Sequence, residues 1–207
     1  MLSHGFIRGK VDQTLFIKRE DGELIVTQVY VDDIILGLTK DELAHGFSKL
    51  MQAKFEMSMI GELIHFLGLQ IRQQDLGISL SQSKYAKNLV KKFSLESASS
   101  VRTPMSPNVK LTVDLLGKNV DPSLYRSMIG SLLYLTASRL DISYSVGVCA
   151  RYQANPKESH MTALKRIIKY VKTTTEFGVW YSKDTSDVFT GYFDTDWLGM
   201  LMIEKVL

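Results

Sequence analysis

Hydrophobic and polar positions follow two periods along this chain, and the change of period divides it. Up to residue 36 the spacing is that of strands. Leu15 to Lys18 and Leu24 to Val31 are joined by Asp21-Gly22, a dipeptide suited to a tight hairpin turn. Ile34 to Leu36 returns as a further strand, which puts Asp32 and Asp33 at or beside a second tight turn. Thr39 followed by Glu42 predicts a capping box. It opens a helix whose Leu43, Phe47, Leu50, Met51 and Phe55 share one face. Leu63 to Ile71 predicts another strand, Gly77 to Leu80 a short partner, and Tyr85, Leu89 and Phe93 mark a helix.

From Ser94 to Asp121 the periodicity fades. Serines and two of the four prolines make this stretch a linker. Beyond it the period is helical. Asp121-Pro122 supplies an N-cap and first helical residue for a helix through Leu124, Met128, Leu132 and Leu135. Asp141 to Gln153 continues as a helix. Asn155-Pro156 with Glu158 predicts another capping box, followed by the stripe Met161, Leu164, Ile168 and Val171. Gly178 to Tyr181 and Val188 to Asp194 are strand-like, and there is no internal repeat. Hairpins, then helices, then strands predict the α+β class.

Composition changes this picture little. At 207 residues the chain can bury a real core, with 45% apolar and 23% charged residues in the ordinary globular range. A net charge of +3 is compatible with polyanion binding without indicating it. The single Cys149 excludes an internal disulfide and a multi-cysteine zinc site, and it fits a reducing compartment. No apolar run approaches the ~18 residues of a membrane span, and the N-terminus lacks a signal-peptide core. A soluble, intracellular protein is expected, cytoplasmic or nuclear, with an organellar copy left open.

The candidate chemistry lies in Val29-Tyr30-Val31-Asp32-Asp33-Ile34-Ile35-Leu36-Gly37, where everything but the aspartates is apolar, aromatic or glycine. The flanks predict a buried hairpin, and burying adjacent carboxylates is costly unless a metal or strong donors compensate. A solvated pair in a surface turn is the plain alternative. On an extended strand neighbouring side chains point to opposite faces, so one aspartate would address a given ion unless the turn bends them together. Two divalent ions would need at least one further carboxylate from elsewhere. His65 and His160 have no partners at ligand spacing. The helix after Pro156 carries Lys157, Lys165, Arg166, Lys169 and Lys172 opposite its apolar stripe, either a solvated face or a phosphate-contacting one.

The ordered motifs resemble those of the reverse transcriptase region of Ty1/copia-type retrotransposon Pol polyproteins. Tyr30-Val31-Asp32-Asp33 is similar to the family's catalytic hairpin, and Gly5-Phe6, Arg8 to Asp12 and Leu15-Phe16 to its lead-in. Phe55 to Leu63 followed by Phe66 to Ile71 resembles the primer-grip segment. Ser81-Gln82, Lys84-Tyr85 and Thr103 to Met105 continue the match. Tyr125 to Leu135, Ser138 to Ile142, Pro156 to His160 and Gly191 to Trp197 complete it, spanning about residues 2 to 199.

The resemblance implies an α+β fold in parts. Residues 1–93 would form the C-terminal part of a polymerase palm, 94–121 a linker and 122–176 a helical thumb or connection. Residues 177–199 would start a ribonuclease H-like domain, and 200–207 would be an unrelated tail. It implies RNA-directed DNA polymerisation with Mg²⁺ held by Asp32 and Asp33, Asp32 being the direct ligand. Tyr30 would lie near the primer terminus, and Phe66, Leu67 and Gly68 would form the primer grip. Without that context, Phe66 to Gly68 read as a plain buried strand. Asp194 matches the first catalytic, metal-holding aspartate of the ribonuclease H domain; Asp196 and Trp197 match without an assigned role. RNA template and DNA primer would be the partners, with another Pol chain as a possible complement.

The pattern also departs from the family's. The lead-in to Asp32 lacks a motif for the further essential aspartate, and neither Asp12 nor Asp21 sits where the family places it. The match fades after Gly199, before further ribonuclease H carboxylates, and Leu140 stands where the family usually shows proline. A fragment inactive alone is therefore expected. The alternatives are a non-catalytic nucleic-acid-binding remnant and a decayed reading frame without a stable fold.

Overall fold

The computed structural model describes residues 1–106 and 110–184. The fold is mixed, with two four-stranded antiparallel sheets and five α-helices among the described residues. The chain divides into two compact units, Met1–Ile64 and His65–Leu207.

In the first unit, β1 (Ile7–Arg8), β2 (Leu15–Glu20), β3 (Glu23–Tyr30) and β4 (Asp33–Leu38) pair in sequence order. Asp21 and Gly22 turn β2 into β3 with φ values of +51° and +81°, the double positive φ of a type I′ turn. Helix α1 (Glu42–Gln52) follows, burying Ala44 and Phe47. Phe47 meets the buried Phe6 edge-on at 5.8 Å. The expected capping box does not form. The Thr39 hydroxyl donates instead to Glu23 and accepts from the Leu24 N–H, so it locks β3 while Asp41 stands at the helix start. Phe55 falls beyond the helix and is exposed.

The second unit opens with β5 (His65–Phe66), β6 (Leu69–Gln74) and β7 (Gly77–Ser81). The run expected as one strand from Leu63 to Ile71 is thus a hairpin. Leu67 and Gly68 take φ of +50° and +80°, and the apolar Leu67 hides the turn from a reading that expects Asn or Asp there. Helices α2 (Ser83–Lys92), α3 (Pro122–Leu135), α4 (Leu140–Ala150) and α5 (Glu158–Thr173) then build a helical core. Leu89, Tyr125, Met128, Leu132, Ile142 and Leu164 are among its buried residues. Each fully buried aliphatic side chain contributes about 1.5–3 kcal/mol relative to exposure.

Helix α3 starts as expected, with the Asp121 carboxylate accepting from the Ser123 N–H and Pro122 in the first turn. Helix α4 begins at Leu140, a first-turn position that also accepts proline. Helix α5 begins two residues later than the Asn155-Pro156 reading placed it. Lys157 is its N-cap, and the Lys157 N–H donates to His160 Nδ1 at 3.0 Å.

The segment between α2 and α3 contains no helix or strand among its described residues, yet it lies against the core. Met105, Leu111 and Val120 pack on it. Strand β8 (Gly178–Ser182) then returns to pair antiparallel with β7, giving the order β5-β6-β7-β8. Val188 to Asp194 lies outside the described residues. Among the described residues no helix is long and apolar enough to cross a membrane.

Candidate functional site

The aspartate pair sits on the β3–β4 hairpin. Tyr30 and Asp33 are its last register pair, so Val31 and Asp32 form a two-residue turn. Val31 holds φ at +53°, a left-handed value that costs an L-residue roughly 1–2 kcal/mol. Glycine is the residue expected at such a position. The flanks predicted a buried hairpin; the tip is instead exposed. Asp32 and Asp33 both lie in solvent, so the pair carries no large desolvation cost.

The two carboxylates address different sides. Asp32 lines an open groove of about 1130 Å³ with Arg8, Thr14, Phe16, Val29 and Ile34. Asp33 lies on the opposite face with Tyr30, as strand alternation requires. Neither aspartate side chain takes a hydrogen bond or ion pair from another described residue, so both retain their acceptor capacity. Arg8 is committed elsewhere in the groove: Nε donates to the Gln13 carbonyl at 2.7 Å, and the guanidinium lies 5.9 Å from the Phe16 ring centre.

Asp12 is occupied structurally. One oxygen accepts from the Thr14 N–H and hydroxyl at 2.8 and 2.6 Å, and the other from Gln28 at 3.2 Å. Its bonds to Thr14 hold the carboxyl below the usual range. An Asp two residues before a Thr is the signal of such a turn.

Magnesium needs near-octahedral oxygen coordination. Asp32 and Asp33 are donors of the right kind, splayed by the turn. Among the described residues no group of three or more His, Cys, Asp or Glu side chains could hold a metal ion. Asp32 and Asp33 thus offer carboxylate oxygens of the kind magnesium takes, but the described residues form no metal site by themselves. Asp194, Asp196 and Trp197 lie outside the described residues.

Phe66, Leu67 and Gly68 form the tip of the β5–β6 hairpin. Phe66 pairs with Leu69, and Leu67 is exposed. On α5, much of the basic face is engaged. Arg166 donates to the Thr103 carbonyl and hydroxyl at 3.2 and 3.0 Å, and Lys172 to the Ala98 carbonyl at 2.8 Å. Buried Lys157 reaches Asn119 at 2.6 Å. These cations strap the irregular segment onto the helix. Lys165 remains exposed. His160 is a buried core histidine, stacked on Tyr152 with ring centres 4.0 Å apart. Its Nδ1 accepts from Lys157, which leaves Nε2 to donate to the Thr112 carbonyl at 2.7 Å.

Arg139 had drawn no role from sequence, and it is almost fully buried. It makes a two-pronged pair with Asp141 at 2.8 and 2.7 Å, and donates to the Thr174 carbonyl and hydroxyl at 2.8 and 2.7 Å. Thr174 closes α5, so the guanidinium also caps that helix's negative end. Burial raises the Asp141 carboxyl, but bonds from Arg139 and Tyr170 outweigh it and hold the group below its ordinary value.

A carboxylate-bearing hairpin on an antiparallel sheet, followed by a second hairpin and a helical unit, suits the polymerases that copy nucleic acid. The chain belongs to the reverse transcriptase (RNA-dependent DNA polymerase) family, whose model matches residues 1–107. Within that family it is similar to retrovirus-related Pol polyproteins of copia-type transposons. It is 34% identical over 199 residues to the Pol polyprotein from transposon RE1 of Arabidopsis thaliana, covering 96% of this chain and 14% of that protein. It is 29% identical over 210 residues to that from transposon TNT 1-94 of Nicotiana tabacum, covering 96% of this chain and 16% of that protein. An uncharacterized mitochondrial protein of Arabidopsis thaliana is 33% identical over 171 residues, 83% of this chain and 71% of that protein. No solved structure matches the chain. The chain spans about one-seventh of the length of the first curated relatives it matches.

Proposed function

We propose that this chain supplies the catalytic hairpin and primer-contacting part of an RNA-directed DNA polymerase. Residues 1–93 would be palm, 122–176 thumb or connection, and the segment from 177 the lead into a ribonuclease H-like domain. Strand β8 is then also the fourth strand of the second sheet. The observation that carries this reading is the placement of Asp32 in the hairpin turn, facing an open groove with its oxygens uncommitted. Family membership supports it.

Asp32 is the direct metal ligand and Asp33 the second carboxylate. A bound magnesium would stabilise charge developing on the transferred phosphoryl group. Tyr30, beside Asp33 in register, lies near the primer terminus. The tip Phe66-Leu67-Gly68 contacts the primer, and Asp194 is the ribonuclease H aspartate. The pair alone is an incomplete site, so polymerisation needs further ligands, of which a complementing Pol chain is one source, along with RNA template and DNA primer.

Primer extension on an RNA template with magnesium tests this. The chain alone is expected to give no product. A second Pol chain carrying the rest of the palm restores extension, and Asp32→Asn abolishes it. Extension by the chain alone that vanishes in Asp32→Asn overturns the claim of incompleteness. Magnesium titration followed at the Asp32 and Asp33 amide resonances tests the ligands; no shift at either removes the metal assignment.

A further inference from the structure

We propose that Tyr134 on α3 is a positioning residue for the β5–β6 hairpin tip, fixing from a distance the turn that meets the primer. The inference rests on the primer-contact reading of Phe66, Leu67 and Gly68.

The tip does not hold its shape by local preference. Leu67 has φ +50°, a value that leucine adopts rarely and that persists only where surroundings enforce it. The enforcing group is 67 residues away: Tyr134 Oη donates to the Leu67 carbonyl at 3.0 Å. Gly68 makes this approach possible, because a Cβ there would stand 2.0 Å from the same hydroxyl.

Tyr134 is itself held at two points, its ring and its carbonyl. The Tyr85 ring meets its ring edge-on at 4.7 Å, and Tyr85 Oη donates to the Ser131 carbonyl one turn earlier on α3. Gln82, almost fully buried between β7 and α2, donates to the Tyr134 carbonyl at 3.3 Å. The other end of that amide accepts from the Ser138 hydroxyl at 2.8 Å. Gln82 and the ring of Tyr85 therefore hold Tyr134 in place, and the Tyr134 hydroxyl transmits that setting to the turn. Tyr85 also packs against the hydrophobic core, so the chain of contacts ties the turn to the core of the second unit. The product of these contacts is the shape of the exposed turn Leu67-Gly68 beside half-buried Phe66.

Tyr134→Phe removes the hydroxyl and keeps the ring. Amide exchange at Gly68 and Leu69 is expected to accelerate up to about ten-fold, the loss of one hydrogen bond, with thermal melting of the second unit unchanged. Affinity for an RNA–DNA hybrid with a recessed 3′ end is expected to fall several-fold, and affinity for a blunt hybrid to stay the same. Gly68→Ala, which displaces the hydroxyl, should reproduce both effects. Tyr85→Phe, which loses the Ser131 bond alone, should produce neither. Unchanged exchange in Tyr134→Phe overturns the bracing. Faster exchange with equal effects on both hybrids overturns the positioning role and leaves a structural one. An unaltered chain that shows no preference for the recessed end refutes the primer-contact reading, and the positioning role with it; that failure is visible before any variant is made.

Discussion

Val31 is at odds with its own backbone. A β-branched side chain at φ +53° is strained, and glycine would remove that cost while adding freedom to the unfolded chain. Val31→Gly is therefore expected to stabilise the first unit by about 0.5–1 kcal/mol, read from urea unfolding; a loss of stability would show that the valine side chain contributes more by contact than it costs. Asp141 gives a second prediction. Its folded pKa lies below the ordinary value, so its contribution is complete above the unfolded pKa, roughly 4, and is lost as pH falls through the folded value. The second unit should lose stability below about pH 4. Asp141→Asn should flatten that acid limb; an identical limb in the variant would place the titration elsewhere. Sequence singled out Asp32 and Asp33 because charge broke an apolar run. Strand alternation already pointed them to opposite faces; what stayed open was whether the turn would bend them together, since that depends on where the turn falls. Arg139 was quiet for a different reason: its partner Thr174 is 35 residues off, and no local pattern records such a bond.

Elements were legible wherever their ends are marked by local chemistry. Asp21-Gly22 and Asp121-Pro122 form the turn and cap their residue types dictate, because each is settled within a few residues. Both expected capping boxes failed, because tertiary partners hold the groups: Thr39 bonds across to β3, and the Glu158 N–H donates to the Lys118 carbonyl while the α5 cap falls on Lys157 and His160. The β5–β6 hairpin was hidden because Leu67 supplies no turn signal and Tyr134 supplies the missing support. Pairing of β7 with β8 depends on two glycines. A Cβ at Gly178 would come within 2.1 Å of the Leu80 carbonyl oxygen, and one at Gly77 within 2.2 Å of that of Tyr181. Gly178→Ala should detach β8, shown by loss of amide protection from Val179 to Ser182 with protection on α3 retained. Protection unchanged along β8 would mean the strands can shift to admit the methyl.

At the scale of the molecule, the helical core of the second unit is the continuous apolar body, and Cys149 lies within it. Burial pushes the Cys149 thiol up to about 11, and the thiolate is the reactive form. An aromatic disulfide reagent at neutral pH should label Cys149 only as fast as that unit opens, with the rate rising in urea. Prompt labelling in native buffer would contradict the packing.

Strand β8 also has a bearing on how this molecule comes into being. Its partner β7 is made about a hundred residues earlier, since Gly77 pairs with Ser182 and Ser81 with Gly178. During synthesis the outer edge of β7 stays bare while four helices emerge, and bare strand edges recruit other chains. Closing so long a loop is also slow relative to making local hairpins. The last strand described is thus a late-arriving seal. A chain ended at residue 176 should form its helices and still aggregate through an edge that the longer chain covers.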